Sequence, residues 1–233
     1  TTANLFTATV FANFQVTTRH DSRKVRVIRN FPELTVWKDY KPEPSRRARV
    51  VAYVGVLAPM RGTDNIVDAV AALNKDYPVT LRLIGRLDET DYLQALAKRE
   101  GWKHVELLPF GTSYELPRLI QGSNVGIVAS HRIPNYMSNY PTKLFEYMAA
   151  GLPVVCSDIP VWMEVVDGSP AVKFVDPESV TDIVEGLRYF LDDLEQCEHL
   201  GRQAQELAFE RFSWEAEADR LAELYRSLVP QSL

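Results

Sequence analysis

The chain has 233 residues, 46% of them hydrophobic and 24% charged, with 26 Lys plus Arg against 31 Asp plus Glu and a formal net charge of −5. Such a chain can bury one sizeable core, so disorder is excluded, and so is a surface that coats nucleic acid, though a local basic patch that meets phosphates is not. Two cysteines, Cys156 and Cys197, are too few for a disulfide scaffold, no metal-ligand spacing appears, and no apolar run approaches the roughly 18 residues of a membrane span, so a reducing cytoplasm is the expected setting.

In chain order, Thr1 to Val16 lack a basic leader and a cleavage site and are not a signal peptide. The pattern predicts a helix over Leu5–Val16 and a strand over Val25–Ile28, too little for a core of its own. Residues 1–36 are therefore expected to be the tail of a preceding domain of a longer protein. Residues 37–49, polar with Pro42 and Pro44, read as a linker; their cluster Arg46, Arg47 and Arg49 reads as solvated, with an anionic membrane surface as the alternative. Residues 50–233 are expected to form one domain.

From Val50 onward, apolar strand-like runs alternate with helical periodicity. The strands are predicted at Val50–Val56, Val79–Ile84, Val105–Leu108, Val125–Ala129, Pro153–Ser157 and Ala171–Val175. Helices are predicted over Asp64–Asn74, after Thr90 to Gly101, after Ser113 to Gly122, and over Lys143–Ala150 up to Gly151. This alternation implies an α/β fold: a parallel sheet with right-handed crossovers and helices on both faces. After Val175 only helices remain. Asp176-Pro177 is expected to open the first, Leu194 to Phe212 to form the second, and Ser213 to cap the third.

In such sheets ligands bind at the carboxyl ends of the strands, near the switch point in strand order. Four segments should lie there. In Tyr53-Val54-Gly55 and on to Arg61-Gly62, Gly55 lets backbone approach a phosphate and Arg61 offers forked donors; a solvated Arg in an ordinary turn is the plainer reading. The glycine turns at Gly85 and at Phe110-Gly111 can supply backbone contacts to a base or ribose. The fourth segment, Ser138-Asn139-Tyr140-Pro141-Thr142-Lys143 and onward, places Pro141 at a helix start whose free N–H groups, with Thr142 and Lys143, form an anion site. Glu146, four residues after Thr142, can accept hydrogen bonds from the vicinal hydroxyls of a ribose, or it is one charge on a solvated helix face. His131 lies on the same rim, where an ordinary loop His is the plainer reading than contact with a sugar. Trp162 and Trp214 read as packing residues.

The run PTKLFEYMAAGLPVVCSD, Pro141 to Asp158, resembles the signature of the family 4 retaining glycosyltransferases, and YVGVLAPMRGTDNIVDAV, LRLIG, ELLPFGTSYEL and FSWEAEADRLAELYRSL resemble their other units. The resemblance implies the C-terminal, Rossmann-like half of a two-domain B-type glycosyltransferase fold. It implies transfer of a sugar from a nucleoside diphosphate sugar to an acceptor hydroxyl with retention, in polysaccharide or glycoconjugate synthesis. The sugar or lipid-linked acceptor would bind the N-terminal half, without which the chain would be inactive. Arg61 and Lys143 would stabilise the leaving diphosphate. Gly55, Arg61, Gly85, Phe110, Ser138, Asn139, Tyr140, Thr142, Lys143 and Glu146 would bind the donor, Glu146 through its ribose. No cofactor or metal is expected, since the helix start and the basic side chains can take a metal's place. Ser138 stands where the family has a Glu that contacts the donor sugar, and Val56 where it has a phosphate-binding Arg. A non-catalytic nucleotide-sugar-binding subunit and a sugar-nucleotide 2-epimerase of the same fold are the alternatives.

Overall fold

In the computed structural model the described residues are 9–11, 25–87 and 90–228. Two short strands, β1 (Thr9–Phe11) and β2 (Val25–Val27), pair in parallel with Thr9 opposite Val25. A strand, not a helix, therefore occupies the middle of the predicted Leu5–Val16 helix, where β-branched Thr9 and Val10 precede aromatic Phe11 and favour extended backbone. The rest of that predicted helix lies outside the described residues.

The main sheet has six parallel strands: β3 (Arg49–Leu57), β4 (Val79–Leu87), β5 (Val105–Pro109), β6 (Val125–Val128), β7 (Val154–Ser157) and β8 (Val172–Val175). Their order in space is β5-β4-β3-β6-β7-β8. Every predicted strand of the domain is present with its ends shifted by at most a few residues. The central strands β6 and β7 are buried along their whole length, which is why they read as unbroken apolar runs.

The helices are α1 (Thr63–Leu73), α2 (Thr90–Ala97), α3 (Leu116–Ile120), α4 (Thr142–Ala149), α5 (Pro160–Val166), α6 (Val180–Leu191), α7 (Leu194–Arg211) and α8 (Trp214–Leu228). α1 packs with α6, and α4 packs with α7. Right-handed crossovers from strands on either side of the switch point put helices on both faces of the sheet. α5 carries the short run PVWMEVV, too brief to show a helical period, and sequence reading passes over it. α6 begins three residues later than predicted. Ser179, not Asp176, is its cap, accepting a hydrogen bond from the Asp182 N–H, while the Asp182 side chain turns back to the Asp176 N–H at 2.6 Å. The cap at Ser213 is as expected, its hydroxyl accepting from the Ala216 N–H at 3.2 Å.

The stretch before β3 is folded onto this domain. Phe31, Leu34 and Trp37 belong to its core, and Trp37, the first residue of the predicted linker, is 2% exposed. The Asn124 side chain holds the entry to β3, accepting from the Val50 N–H at 2.8 Å and donating to the Ser45 carbonyl at 2.7 Å. Of the basic cluster, Arg49 donates to the Leu191 carbonyl and covers the Tyr77 ring, and Arg46 pairs with Glu198. Among the described residues no helix is long and apolar enough to cross a membrane.

β3 and β6 pair only at Val51–Val125 and Ala52–Gly126, then part. The Val54 N–H beyond the parting donates to the hydroxyl of Tyr147 on α4, at 2.6 Å. Gly126 permits this: a Cβ there would lie 2.4 Å from the Tyr147 ring. Tyr147→Phe keeps the ring and leaves a buried N–H unpaired, so it should cost about 1–3 kcal/mol, read as a lower midpoint of urea unfolding with an unchanged slope.

Candidate functional site

The parting of β3 and β6 opens a cleft of about 780 Å³ at the carboxyl ends of the strands, within the size range of ligand pockets. One wall is the end of β3, from Tyr53 to Val56, with Arg61 beyond it. The floor is Ile127, Val128 and Ser130 at the end of β6. The loop between β6 and α4 supplies Asn135, Tyr136, Asn139 and Tyr140, and the start of α4 supplies Pro141, Thr142 and Lys143. Trp162 of α5, Phe110 after β5, and residues 28–30 with Trp214 and Leu221 of α8 complete the lining. A second hollow of about 410 Å³ shares Val54, Phe110 and Lys143 with it and continues past Ile84 to Gly111, Tyr114 and Leu116.

Arg61 is placed by a tight turn. Gly62 has φ of 66°, and a Cβ there would meet the Ala129 carbonyl oxygen at 2.1 Å, so only glycine lets this turn close against the end of β6. The Arg61 guanidinium lies over the Tyr136 ring, 4.7 Å from its centre, which orients the cation without cancelling its charge. On the facing strand the Tyr53 hydroxyl donates to the Val56 carbonyl at 2.6 Å. Burial pushes the Tyr53 phenol well above its usual range, so it stays a neutral donor.

The loop over the cleft is pinned on both sides. Trp162 Nε1 donates to the Asn139 carbonyl at 2.6 Å, and Asn139 Nδ2 donates to the Asn135 carbonyl at 2.8 Å. Arg132 grips Asp158 with both carboxylate oxygens at 2.5 and 2.6 Å and reaches Asp176 at 3.1 Å. Ser157, buried at the end of β7, donates to the Ser130 carbonyl at 2.7 Å. The residues Ser157 and Asp158 that close the Pro141–Asp158 run thus hold the loop that precedes it.

α4 begins without a side-chain cap: Pro141 occupies the N-cap position and its carbonyl accepts from the Leu144 N–H, so it sits one place earlier than expected. The Thr142 and Lys143 N–H groups, with no partner among the described residues, stand beside the cleft at the positive end of a helix of eight residues. Lys143 Nζ pairs with the Glu146 carboxylate one turn on.

Of the residues singled out in the sequence, Gly55, Arg61, Phe110, Asn139, Tyr140, Thr142 and Lys143 line the cleft together. Gly85, Ser138 and Glu146 are not among its lining residues; Gly85 lies beside Gly55 in the sheet, where a Cβ would press on the Leu57 side chain. Glu146 is 7% exposed and paired with Lys143, so it is not a charge on a solvated face. The His131 N–H donates to the Met60 carbonyl, and its Nε2 is buried with no partner among the described residues. Trp162 is a packing residue as read, and it also faces the cleft; Trp214 lies on the rim, 36% exposed. Sequence reasoning missed Tyr136, Asn135 and the whole wall from Ile28 to Asn30. That wall reaches the cleft through contacts with α8, nearly two hundred residues away, which no local pattern encodes.

The chain matches the family model described as "Glycosyl transferases group 1" over residues 37–207. It is 28% identical over 196 residues to the MMP alpha-(1->4)-mannosyltransferase of Mycolicibacterium hassiacum, covering 82% of this chain and 46% of the relative. It is 30% identical over 207 residues to the D-inositol 3-phosphate glycosyltransferase of Corynebacterium glutamicum, covering 82% of this chain and 48% of the relative. The chain thus spans about half the length of the curated relatives it matches. Among solved structures, Anabaena HepE, determined with UDP and glucose, superposes with a TM-score of 0.78 at 24% identity, covering 97% of this chain and 65% of that one. The Thermosynechococcus elongatus sucrose-phosphate synthase superposes with a TM-score of 0.75 at 22% identity, covering 90% and 54%. The fold is that of the B-type glycosyltransferase domain.

Neither cysteine lines the cleft, and both are buried and unpaired. Burial raises the Cys156 thiol strongly and pushes Cys197 up to about 12. The folded thiols stay protonated where unfolded thiols, near pKa ~8.5, ionise, so their contribution to stability is full below that pH and is lost as pH rises toward about 12. The native chain at pH 8 should resist a thiol-modifying reagent that labels both cysteines rapidly in urea.

Proposed function

Because the chain belongs to the group 1 glycosyl transferases, we propose that it binds a nucleoside diphosphate sugar in the cleft between β3 and β6, as the donor half of an enzyme that transfers the sugar to an acceptor hydroxyl with retention of configuration. The observation that carries this reading is the convergence of Arg61, Lys143 and the uncapped start of α4 on one cleft at the topological switch point, with no acidic residue among the described residues that line it. An anion is what such a cleft attracts.

In the transfer, the bond from the anomeric carbon to the phosphate oxygen breaks and one to the acceptor oxygen forms. The acceptor proton ends on the departing diphosphate, whose charge grows as the bond breaks. Amides and cations fixed in place before the reaction stabilise that charge without reorganising. Arg61, held over Tyr136, and the first-turn N–H groups of α4 fit this task, with Lys143 beside them. Glu146 takes the ribose hydroxyls. The acceptor, a sugar or a lipid-linked sugar, binds residues outside this domain, in polysaccharide or glycoconjugate synthesis. The two buried free thiols favour a cytoplasmic setting. The HepE structure in complex with UDP and glucose agrees with a donor of this class. Ser138, exposed and off the cleft where the family has a carboxylate, favours a second reading: a subunit that binds the donor without turnover. Binding with neither transfer nor hydrolysis by the full-length protein would establish it.

Titration of the chain with nucleoside diphosphates and their sugars should raise its melting temperature, and no rise with any of them would refute the proposal. Arg61→Ala should weaken a nucleoside diphosphate at least tenfold while sparing the bare nucleoside; equal loss for both would remove Arg61 from the diphosphate. Glu146→Gln should weaken a ribonucleoside diphosphate about tenfold to a hundredfold, the range for losing a charged hydrogen-bond acceptor, and a dideoxyribose analogue much less. Equal weakening of the two ligands in calorimetric titration would leave Glu146 as a partner of Lys143 only.

A further inference from the structure

The charge in the cleft is unevenly available. Among the described residues three cationic ones line it: Arg29, Arg61 and Lys143. The Lys143 charge is already matched by Glu146, which is nearly buried and cannot turn to water without leaving the core. Arg61 rests on a neutral ring and keeps its charge. Arg29 lines the same cleft from the segment that precedes Phe31. Among the described residues its guanidinium has no ion-pair or hydrogen-bond partner, although it is half-buried.

The backbone of Arg29 is nonetheless fixed. Its N–H donates to Glu217 Oε2 at 3.1 Å, and Glu217, 2% exposed on α8, gives its other oxygen to Arg220 at 2.8 Å. The same helix holds the following residues: Glu215 accepts from the Leu34 and Thr35 N–H groups at 3.1 Å, and the Trp214 N–H donates to the Pro32 carbonyl at 2.9 Å. Four backbone bonds thus fix the segment that carries this free cation.

A diphosphate brings more than one negative charge, and unpaired charge in a half-enclosed site is costly. With Lys143 offset, Arg61 alone supplies one full unit. We propose that Arg29 is the second full charge on the diphosphate of the ligand, reaching it from the wall of residues 28–30, so that Arg29 and Arg61 share the group with two guanidinium forks. This inference rests on the donor reading above and makes Arg29, rather than Lys143, the main partner of Arg61.

The test is calorimetric titration of the 233-residue chain with a nucleoside diphosphate, the matching nucleoside and inorganic diphosphate, for wild type, Arg29→Met and Arg29→Lys. Met keeps the apolar stem and removes the charge. The expected result is a loss of at least tenfold for the nucleoside diphosphate and for inorganic diphosphate in Arg29→Met, no change for the nucleoside, partial rescue in Arg29→Lys, and an unchanged melting temperature without ligand. Wild-type affinity for the nucleoside diphosphate in Arg29→Met would overturn the inference alone and assign Arg29 to some other anion, such as one on the acceptor. An equal loss for nucleoside and nucleoside diphosphate, or a fall in the unliganded melting temperature, would make Arg29 a structural residue. Failure of the wild type to bind any nucleoside diphosphate would remove the donor reading and this inference with it.

Discussion

One hydroxyl group shapes the site. Two parallel strands that part leave backbone N–H and carbonyl groups facing nothing, and a buried unpaired N–H costs as much as a hydrogen bond is worth. At the fork of β3 and β6 the Tyr147 oxygen takes the Val54 N–H, filling the place a strand partner would hold. Tyr147 is fully buried, and its phenol is held neutral by burial. The strands can therefore diverge one residue after Ala52 without penalty, and the space they leave is the cleft. Tyr147 sits on α4, so the same side chain ties the position of that helix, and of its free N-terminus, to the strand that carries Gly55.

Electrostatics follows from this placement. The chain is acidic overall, yet the cleft is lined by cations and by backbone donors. Its acids are spent on fixing structure instead. Asp158 and Asp176 hold Arg132 at the base of the cleft loop, Glu215 and Glu217 hold the backbone before Trp37, and Glu146 holds Lys143. An acid that is already paired cannot repel an incoming anion as a free one would. Glu146 adds a constraint of its own, since its carboxylate must share Lys143 with anything that approaches from the cleft.

Most of the domain was legible because its signals are local. Apolar runs of four to seven residues marked the strands, and Gly151 and Ser213 marked a helix end and a helix start. The misreadings have physical causes. Thr9–Phe11 sits in a stretch whose apolar spacing also suits a helix, and only its pairing with Val25–Val27 decides between the two. Ser179 outcompeted Asp176 as a cap because Asp182 satisfies the Asp176 N–H from three residues past that cap. In the site, the residues brought by β3 and α4 were read from the Gly55 and Pro141 segments. Tyr136, Trp162 and Arg29 were not read as a site, because their roles depend on partners far away in the sequence: Arg61, Asn139 and Glu217.

The segment from Ile28 to Trp37 shows how a wall can be added to a sheet-based site. Phe31 packs edge-on to Phe145 with ring centres 4.9 Å apart, and 5.4 Å from Phe212, while Phe145 and Phe212 lie 4.7 Å from each other. Phe145 belongs to α4 and Phe212 to the junction of α7 and α8, so this aromatic cluster joins the first described part of the domain to its middle and its end. Such contacts bury large apolar area in one place, and they leave Arg29 and Asn30, just outside the cluster, turned toward the cleft. The helix that closes the domain, α8, then runs along the same wall with Trp214 and Leu221 beside them. The cleft is accordingly built from two kinds of wall. Strand ends and helix starts form one, rigid because the sheet is. Backbone held by the acids of α8 forms the other, and its position relative to Arg61 depends on α8 staying docked against Phe212 and Pro32.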